Sequence, residues 1–326
     1  MNAALILEIV GAIGVIFIGS VLFVNSIEWL GRKLGVNEKA VGTVLAALGT
    51  ALPETIVALI AVAFTAGAAA EDIGIGAIMG APLVLGTVSY AVCGFAVLSR
   101  GRRKLHVLDH FVRDDMLWFA AVFAVVVALG FVPLYPLKVL AAIGLVATYV
   151  IYVLREFKEE VGGERALAAL HFHRNAEDPH IWRVVAQVIG GMLLMVAGAK
   201  LFVAGIDGIA AGYQLSALVL AIILAPVATE LPEIFNVVIW SRQDKEDLAI
   251  GNVSGSMLVQ TSLPSALGLV FTSWTLTGPA FVAAAATFVS IGFLYFNLRR
   301  RTLTAPKLAM AAVPYLVFLA VFPFFD

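Results

Sequence analysis

The decapeptide AALGTALPET, residues 46–55, sets Gly49, Pro53 and Glu54 inside an apolar run. Proline lacks an N–H and clashes with the carbonyl one turn back. A carboxylate in hydrocarbon costs several kcal/mol unless it is paired, protonated or wet. The same arrangement returns at residues 225–234 as APVATELPEI. Superposing the two stretches matches Thr50 with Thr229, Leu52 with Leu231, Pro53 with Pro232 and Glu54 with Glu233. Further on, EDIGIGAIMGA (71–81) lies over EDLAIGNVSGS (246–256), pairing Gly76 with Gly251 and Gly80 with Gly255.

The surroundings of both stretches are those of a membrane protein. Of 326 residues 61% are hydrophobic and 13% charged, with mean hydropathy +1.00. Soluble domains are about half apolar and about a quarter charged, so the chain reads as an all-α integral membrane protein. Spans of roughly 20 apolar residues are expected at 4–27, 38–66, 73–98, 114–133, 135–155, 182–205, 213–240, 248–271, 274–297 and 304–325. Net charge near −1 offers no basic face for nucleic acid, and the single Cys93 allows no intrachain disulfide. The first apolar stretch lacks a basic region ahead of it, which fits a retained membrane helix rather than a cleaved signal.

Lysine and arginine fix the expected orientation. With both termini outside, all basic residues but Lys138 and Lys200 fall in cytoplasmic connections. A cell (plasma or inner) membrane location with N-out, C-out topology follows as the expectation. The polar connection 156–181 divides the chain into a first five-helix unit, 1–155, and a second, 182–326. His171, His173 and His180 lie in it without a recognised metal-ligand spacing, so it reads as a solvated cytoplasmic linker. Five crossings separate equivalent points of the two units, so the copies face opposite ways: ten transmembrane helices as two inverted five-helix repeats. Secondary transporters are built on this plan, with the binding site near the midplane where the copies meet.

The repeat supplies the chemistry for such a site. Thr50 and Glu54 are four apart and share a helix face, beside backbone oxygen loosened by Pro53. Thr229, Pro232 and Glu233 repeat this from the other side of the membrane. Two carboxylates, two hydroxyls and freed carbonyls are hard oxygen donors of the kind Ca²⁺ or Na⁺ prefers. Asn252, Ser256 and Gln260 recur every four residues and add a polar stripe. The glycines at 76, 80, 251 and 255 read as close-packing positions.

These residues resemble the cation/Ca²⁺ antiporter superfamily, the sodium/calcium exchangers, whose two inverted repeats carry a G-T/S-S-x-P-E core and a G-N-x-x-G-S-N core. This chain shows GTALPE and ATELPE, then GAIMGAPLVL and GNVSGSMLVQ. The resemblance spans essentially the whole chain. It implies an alternating-access antiporter for Ca²⁺ against Na⁺ or H⁺, with no resident cofactor and with inorganic cations and the bilayer as partners. The implied central ligands are Glu54 and Glu233, helped by Thr50, Thr229 and carbonyls near Ala47 and Pro226.

The chain also departs from that pattern. The counterparts of Asn252, Ser256 and Gln260 are Ala77, Ala81 and Leu85, and Pro82 stands where the family has asparagine. The serine that follows each threonine is replaced by Ala51 and by Glu230. Glu230 either faces the cavity as a third acid or sits beside it holding a polar contact. Three clustered carboxylates would repel one another, which sets proton coupling or a changed stoichiometry against Na⁺ coupling. A membrane serine protease would want Gly-x-Ser-Gly, whereas NVSG opens on Asn252 and no histidine falls within a span. A channel is the remaining rival.

Overall fold

The computed structural model describes residues 3–34, 46–65, 68–105, 110–156, 168–173, 178–242 and 244–321. Among these residues every regular element is a helix. In the first unit α1 is Ala3–Lys33 and α2 is Ala46–Phe64. Next, α3 (Ala68–Val84) passes through a π-helical turn, Leu85–Ser89, into α4 (Tyr90–Leu98). Then come α5 (His110–Ala128) and α6 (Tyr135–Glu156). In the second unit α7 is Ile181–Tyr213, α8 Ala217–Thr229, α9 Leu231–Arg242 and α10 Glu246–Phe271. The chain closes with α11 (Gly278–Arg299), α12 (Ala305–Ala309) and α13 (Ala312–Val321).

Seven helical stretches are long and apolar enough to cross a membrane, or eight if the bent pair α8–α9 counts as one span. Two shorter apolar stretches, Leu52–Phe64 and Ala305–Val321, fall where two further spans are expected. The expected span 213–240 is not one helix. It bends by 52° between Thr229 and Leu231, whereas α2 runs unbroken through Pro53. Local sequence explains the contrast. Pro226 and Pro232 both interrupt the second copy, so the carbonyls of Ile222 and Ala228 lose their helical donors. In the first copy Ala47 stands where Pro226 stands in the second, and only Gly49 loses its partner.

Two layers organise the bundle. Helices α1 and α7 lie antiparallel in close contact: a Cβ on Gly19 would meet the Gly191 carbonyl at 2.9 Å, and one on Gly198 the Ile16 amide at 3.0 Å. Their apolar faces, with α2 and α8, form one core around Ile16, Ile56, Phe202 and Ile222's neighbour Ala221. The other core gathers α3 to α6 with α10 and α11 around Met79, Phe119, Met257 and Trp274. At its centre the α3–α4 span and α10 run antiparallel, with the Tyr90 hydroxyl 2.8 Å from the Ser254 hydroxyl midway. Helix α3 runs parallel to α8, with Gly76 against the Leu218 carbonyl and Gly80 against that of Ile222. At Gly251 a Cβ meets no described atom within 4 Å.

The described part of the 156–181 connection, residues 168–173 and 178–180, is stitched to α1 and α7. The Asn25 amide donates to the carbonyls of Ala168 and Ala169 at 3.4 and 3.3 Å, and its oxygen accepts from the His171 amide and from Gln187 Nε2. Gln187 Nε2 also donates to Leu22 O at 2.9 Å, its oxygen accepts from the Phe172 amide, and Trp29 Nε1 donates to Ala168 O. The Lys33 ammonium bonds Asp178 and holds that carboxyl below its usual range. Each buried polar group orphaned here costs about 1–3 kcal/mol. Asn25→Leu is therefore expected to lower the thermal midpoint of the detergent-solubilised protein, while Lys33→Ala, at an exposed pair, leaves it within error.

Candidate functional site

The bend between α8 and α9 is where buried polar chemistry gathers. Thr229 ends α8, and its hydroxyl donates back to the Ala225 carbonyl at 3.1 Å. Glu230 occupies the break itself. Its amide donates to the Pro226 carbonyl at 2.8 Å, and its own carbonyl accepts from the Ile234 amide in the first turn of α9. Pro232 falls in the first turn of α9, where a missing N–H is tolerated. Glu233 lies in the same turn, fully buried at the positive end of the helix dipole.

Glu54 approaches this break from α2. It is 3% exposed, and the side chains of Glu230, Gln260 and Thr229 surround its carboxyl. Neither Glu54 oxygen completes a hydrogen bond. Gln260, on α10, donates from Nε2 to Glu230 Oε1 at 3.1 Å, while Glu230 Oε2 has no hydrogen-bond partner. Glu230 lies near enough to both Glu54 and Glu233 to feel the charge of each. Four helical elements thus meet here: α2, the end of α8, the start of α9 and the middle of α10.

Glu230 lies beside Glu54 and accepts from Gln260 Nε2. Ser256 is buried one turn before Gln260, and Asn252, one turn further back, keeps a buried Nδ2 without a hydrogen-bond partner. Ala47 and Thr50 lie in the first turns of α2, and their side-chain surroundings lie outside the described residues. The Pro226 carbonyl is engaged by the Glu230 amide. The oxygens that proline frees are those of Gly49, Ala228 and, beside Gly80, Ile222. Among the described residues no three acidic, histidine or cysteine side chains converge on one metal-holding point. The acids are neighbours around a bend rather than a closed cage.

On the first unit's side the corresponding positions are apolar. Ala77, Ala81 and Leu85 are all buried, and Ala77 belongs to the core against α8. The π-helical turn beginning at Leu85 was not legible in the sequence, although Pro82 three residues earlier removes an amide just upstream. Its Gly86 carbonyl is satisfied by the Ser290 hydroxyl of α11 at 2.6 Å. Such turns mark disturbed helical bonding, and here the disturbance falls where the repeat has lost its polar residue.

Known proteins share this chain's sequence pattern and fold. The family model for sodium/calcium exchanger protein matches residues 4–158 and 183–324. An uncharacterised membrane protein of Methanocaldococcus jannaschii is 25% identical over 262 residues, 78% of each chain. The sodium-calcium exchanger NCX_Mj superposes with TM-score 0.62 at 19% identity, covering 98% of this chain and 99% of its own. The H⁺/Ca²⁺ exchanger CAX superposes with TM-score 0.74 at 15% identity, covering 97% of this chain and 81% of its own. A multi-pass helical chain matched by that model over both of its halves belongs to the sodium/calcium exchanger family.

Proposed function

We propose that the protein is a secondary active antiporter that exchanges Ca²⁺ for Na⁺ or H⁺ by alternating access, with Glu54, Glu230 and Glu233 as its charged ligands. Thr50, Thr229, Ser256 and Gln260 add neutral oxygen, and backbone carbonyls near Ala47 and Pro226 complete the set. One observation carries the reading: Glu54 is buried with neither oxygen hydrogen-bonded, facing Glu230 across a helix break. A buried carboxylate without a protein donor calls for a cation or a proton.

Pairwise packing supports the inverted-repeat plan, 1–155 and 182–326 joined by a cytoplasmic 156–181. Helix α3 packs on α8 and α10 on α2, α6 packs on α10 and α12 on α4, α5 on α10 and α11 on α3. Each contact becomes the other when the two units are exchanged. Both neighbouring folds carry Ca²⁺ in their names, one with Na⁺ and one with H⁺ as the counter-ion. The third acid favours H⁺: three adjacent carboxylates need either a cation or protons to approach neutrality.

Purified protein in liposomes decides the matter. Saturable ⁴⁵Ca²⁺ uptake is expected under an imposed pH gradient, and Glu230→Ala should shift the dependence toward Na⁺. Uptake that requires a Na⁺ gradient and ignores pH in the wild type would remove the proton version. Leak without any counter-ion would make the protein a channel. For topology, Ser273→Cys and Asp178→Cys in a Cys93→Ala background should react with an impermeant maleimide from opposite sides, Ser273→Cys from outside.

A further inference from the structure

The two copies of Glu-Asp that open EDIGIG and EDLAIG do more than align the repeats. Glu71 sits in the first turn of α3, and its Oε1 accepts the backbone N–H of Ser273 at 2.6 Å. Ser273 lies just beyond the end of α10. Glu246, its counterpart, opens α10, and its Oε1 accepts from Arg102 Nη1 at 2.8 Å. Arg102 lies just beyond the end of α4. Each glutamate at the head of one central span therefore grips the segment that follows the tail of the other.

Both anchors are stiff. On the Glu71 side, Lys138 donates to the carbonyls of Ser273 and Trp274. Trp274 is buried at φ 46°, and its indole donates to Val126 O at 3.0 Å. On the Glu246 side, Arg100 grips Asp244 with two bonds of 2.6 and 3.0 Å, and Arg102 bonds Asp244 as well. Arg103 O accepts from the Ala305 amide, tying the same segment to α12. Between the ends, Ile78 reaches Gly268 and Tyr90 meets Ser254, so the two spans stay in one antiparallel register.

We propose that Glu71 and Glu246 are positioning residues for exchange, a crossed pair of ties that fixes the axial register of α10 against α3–α4. That register reaches the site by two routes. Helix α10 carries Gln260 to Glu230. Helix α3 carries Gly76 and Gly80 against α8, whose end is the Thr229–Glu230 break. A loosened tie lets α10 slide and separates Gln260 from Glu230. The two ties differ in strength by their chemistry: Glu71 holds a neutral amide at the surface, Glu246 a guanidinium from a fully buried position.

The test uses the full chain in liposomes and two readouts, the transport one resting on the exchange function proposed above. Glu71→Ala and Glu246→Ala are expected to raise the KM for ⁴⁵Ca²⁺ about tenfold, the equivalent of about 1.4 kcal/mol, with a smaller change in kcat. Glu71→Gln, whose amide oxygen still accepts the Ser273 N–H, should recover wild-type KM. Hydrogen exchange in peptides covering 226–234 should quicken in both alanine variants, far from the substituted residues. Glu246→Gln keeps the side chain's size and gives the same exchange readout if the alanine variant does not fold. Wild-type exchange at 226–234 in Glu71→Ala and in the Glu246 variants, or Glu71→Gln as impaired as Glu71→Ala, overturns the proposal. A wild type that moves no Ca²⁺ defeats the transport reading alone, and the exchange readout still decides the ties.

Discussion

Glu54→Gln is expected to abolish cation exchange under every imposed gradient, a loss above about 100-fold in kcat/KM, while the protein melts no lower than wild type. Both halves of that result follow from one geometric fact. Glu54 is buried and neither of its oxygens is hydrogen-bonded within the protein. Its carboxyl completes no hydrogen bond within the fold, so an isosteric amide removes a desolvated acid at little cost in contacts. The charge is needed only when a cation arrives. Radiotracer flux and differential scanning measure the two halves separately. Normal transport with a lowered midpoint would make Glu54 a structural acid and end the proposed assignment.

Glu233 answers differently under the same substitution. It lies in the first turn of α9, where the helix dipole favours a negative charge by about 0.3–1 kcal/mol. Losing that charge weakens the start of α9 as well as the site. The pair that looks equivalent in ELPE and ALPE is thus unequal in the folded chain: one acid comes from inside an unbroken helix, the other from the first turn after a break.

Much of this was legible in residues 46–55 and 225–234. The repeated Thr-x-x-Pro-Glu pattern marked the two stretches whose acids the fold gathers at the candidate site, and the apolar runs placed the helices that carry them. What escaped was decided by contacts rather than by local pattern. A proline-glutamate pair does not say whether its helix bends, and here the additional Pro226 decides it. Periodicity put Glu230 near the cavity without showing that Gln260 would reach it from a helix thirty residues on in sequence. The Glu71 and Glu246 ties join residues more than a hundred positions apart. Only their shared place in the repeat was visible beforehand.

Glycine substitutions read how closely the central helices pack. A Cβ on Gly80 would stand 2.4 Å from the Ile222 carbonyl and 2.8 Å from Pro226 Cγ. Neither neighbour can yield: one is backbone and the other a ring in a helix. Gly80→Ala must therefore push α3 off α8, at about 1–3 kcal/mol or more, and α8 ends at Thr229 and Glu230. Its expected result is a lower thermal midpoint together with a severalfold loss of Ca²⁺ affinity. Gly251→Ala, on the start of α10, meets no described atom within 4 Å and gains about 0.5–1 kcal/mol of helix propensity. It is expected to leave the midpoint unchanged or raised. Equal losses of stability from Gly80→Ala and Gly251→Ala would show instead that the flank of Gly251 is packed as closely as that of Gly80.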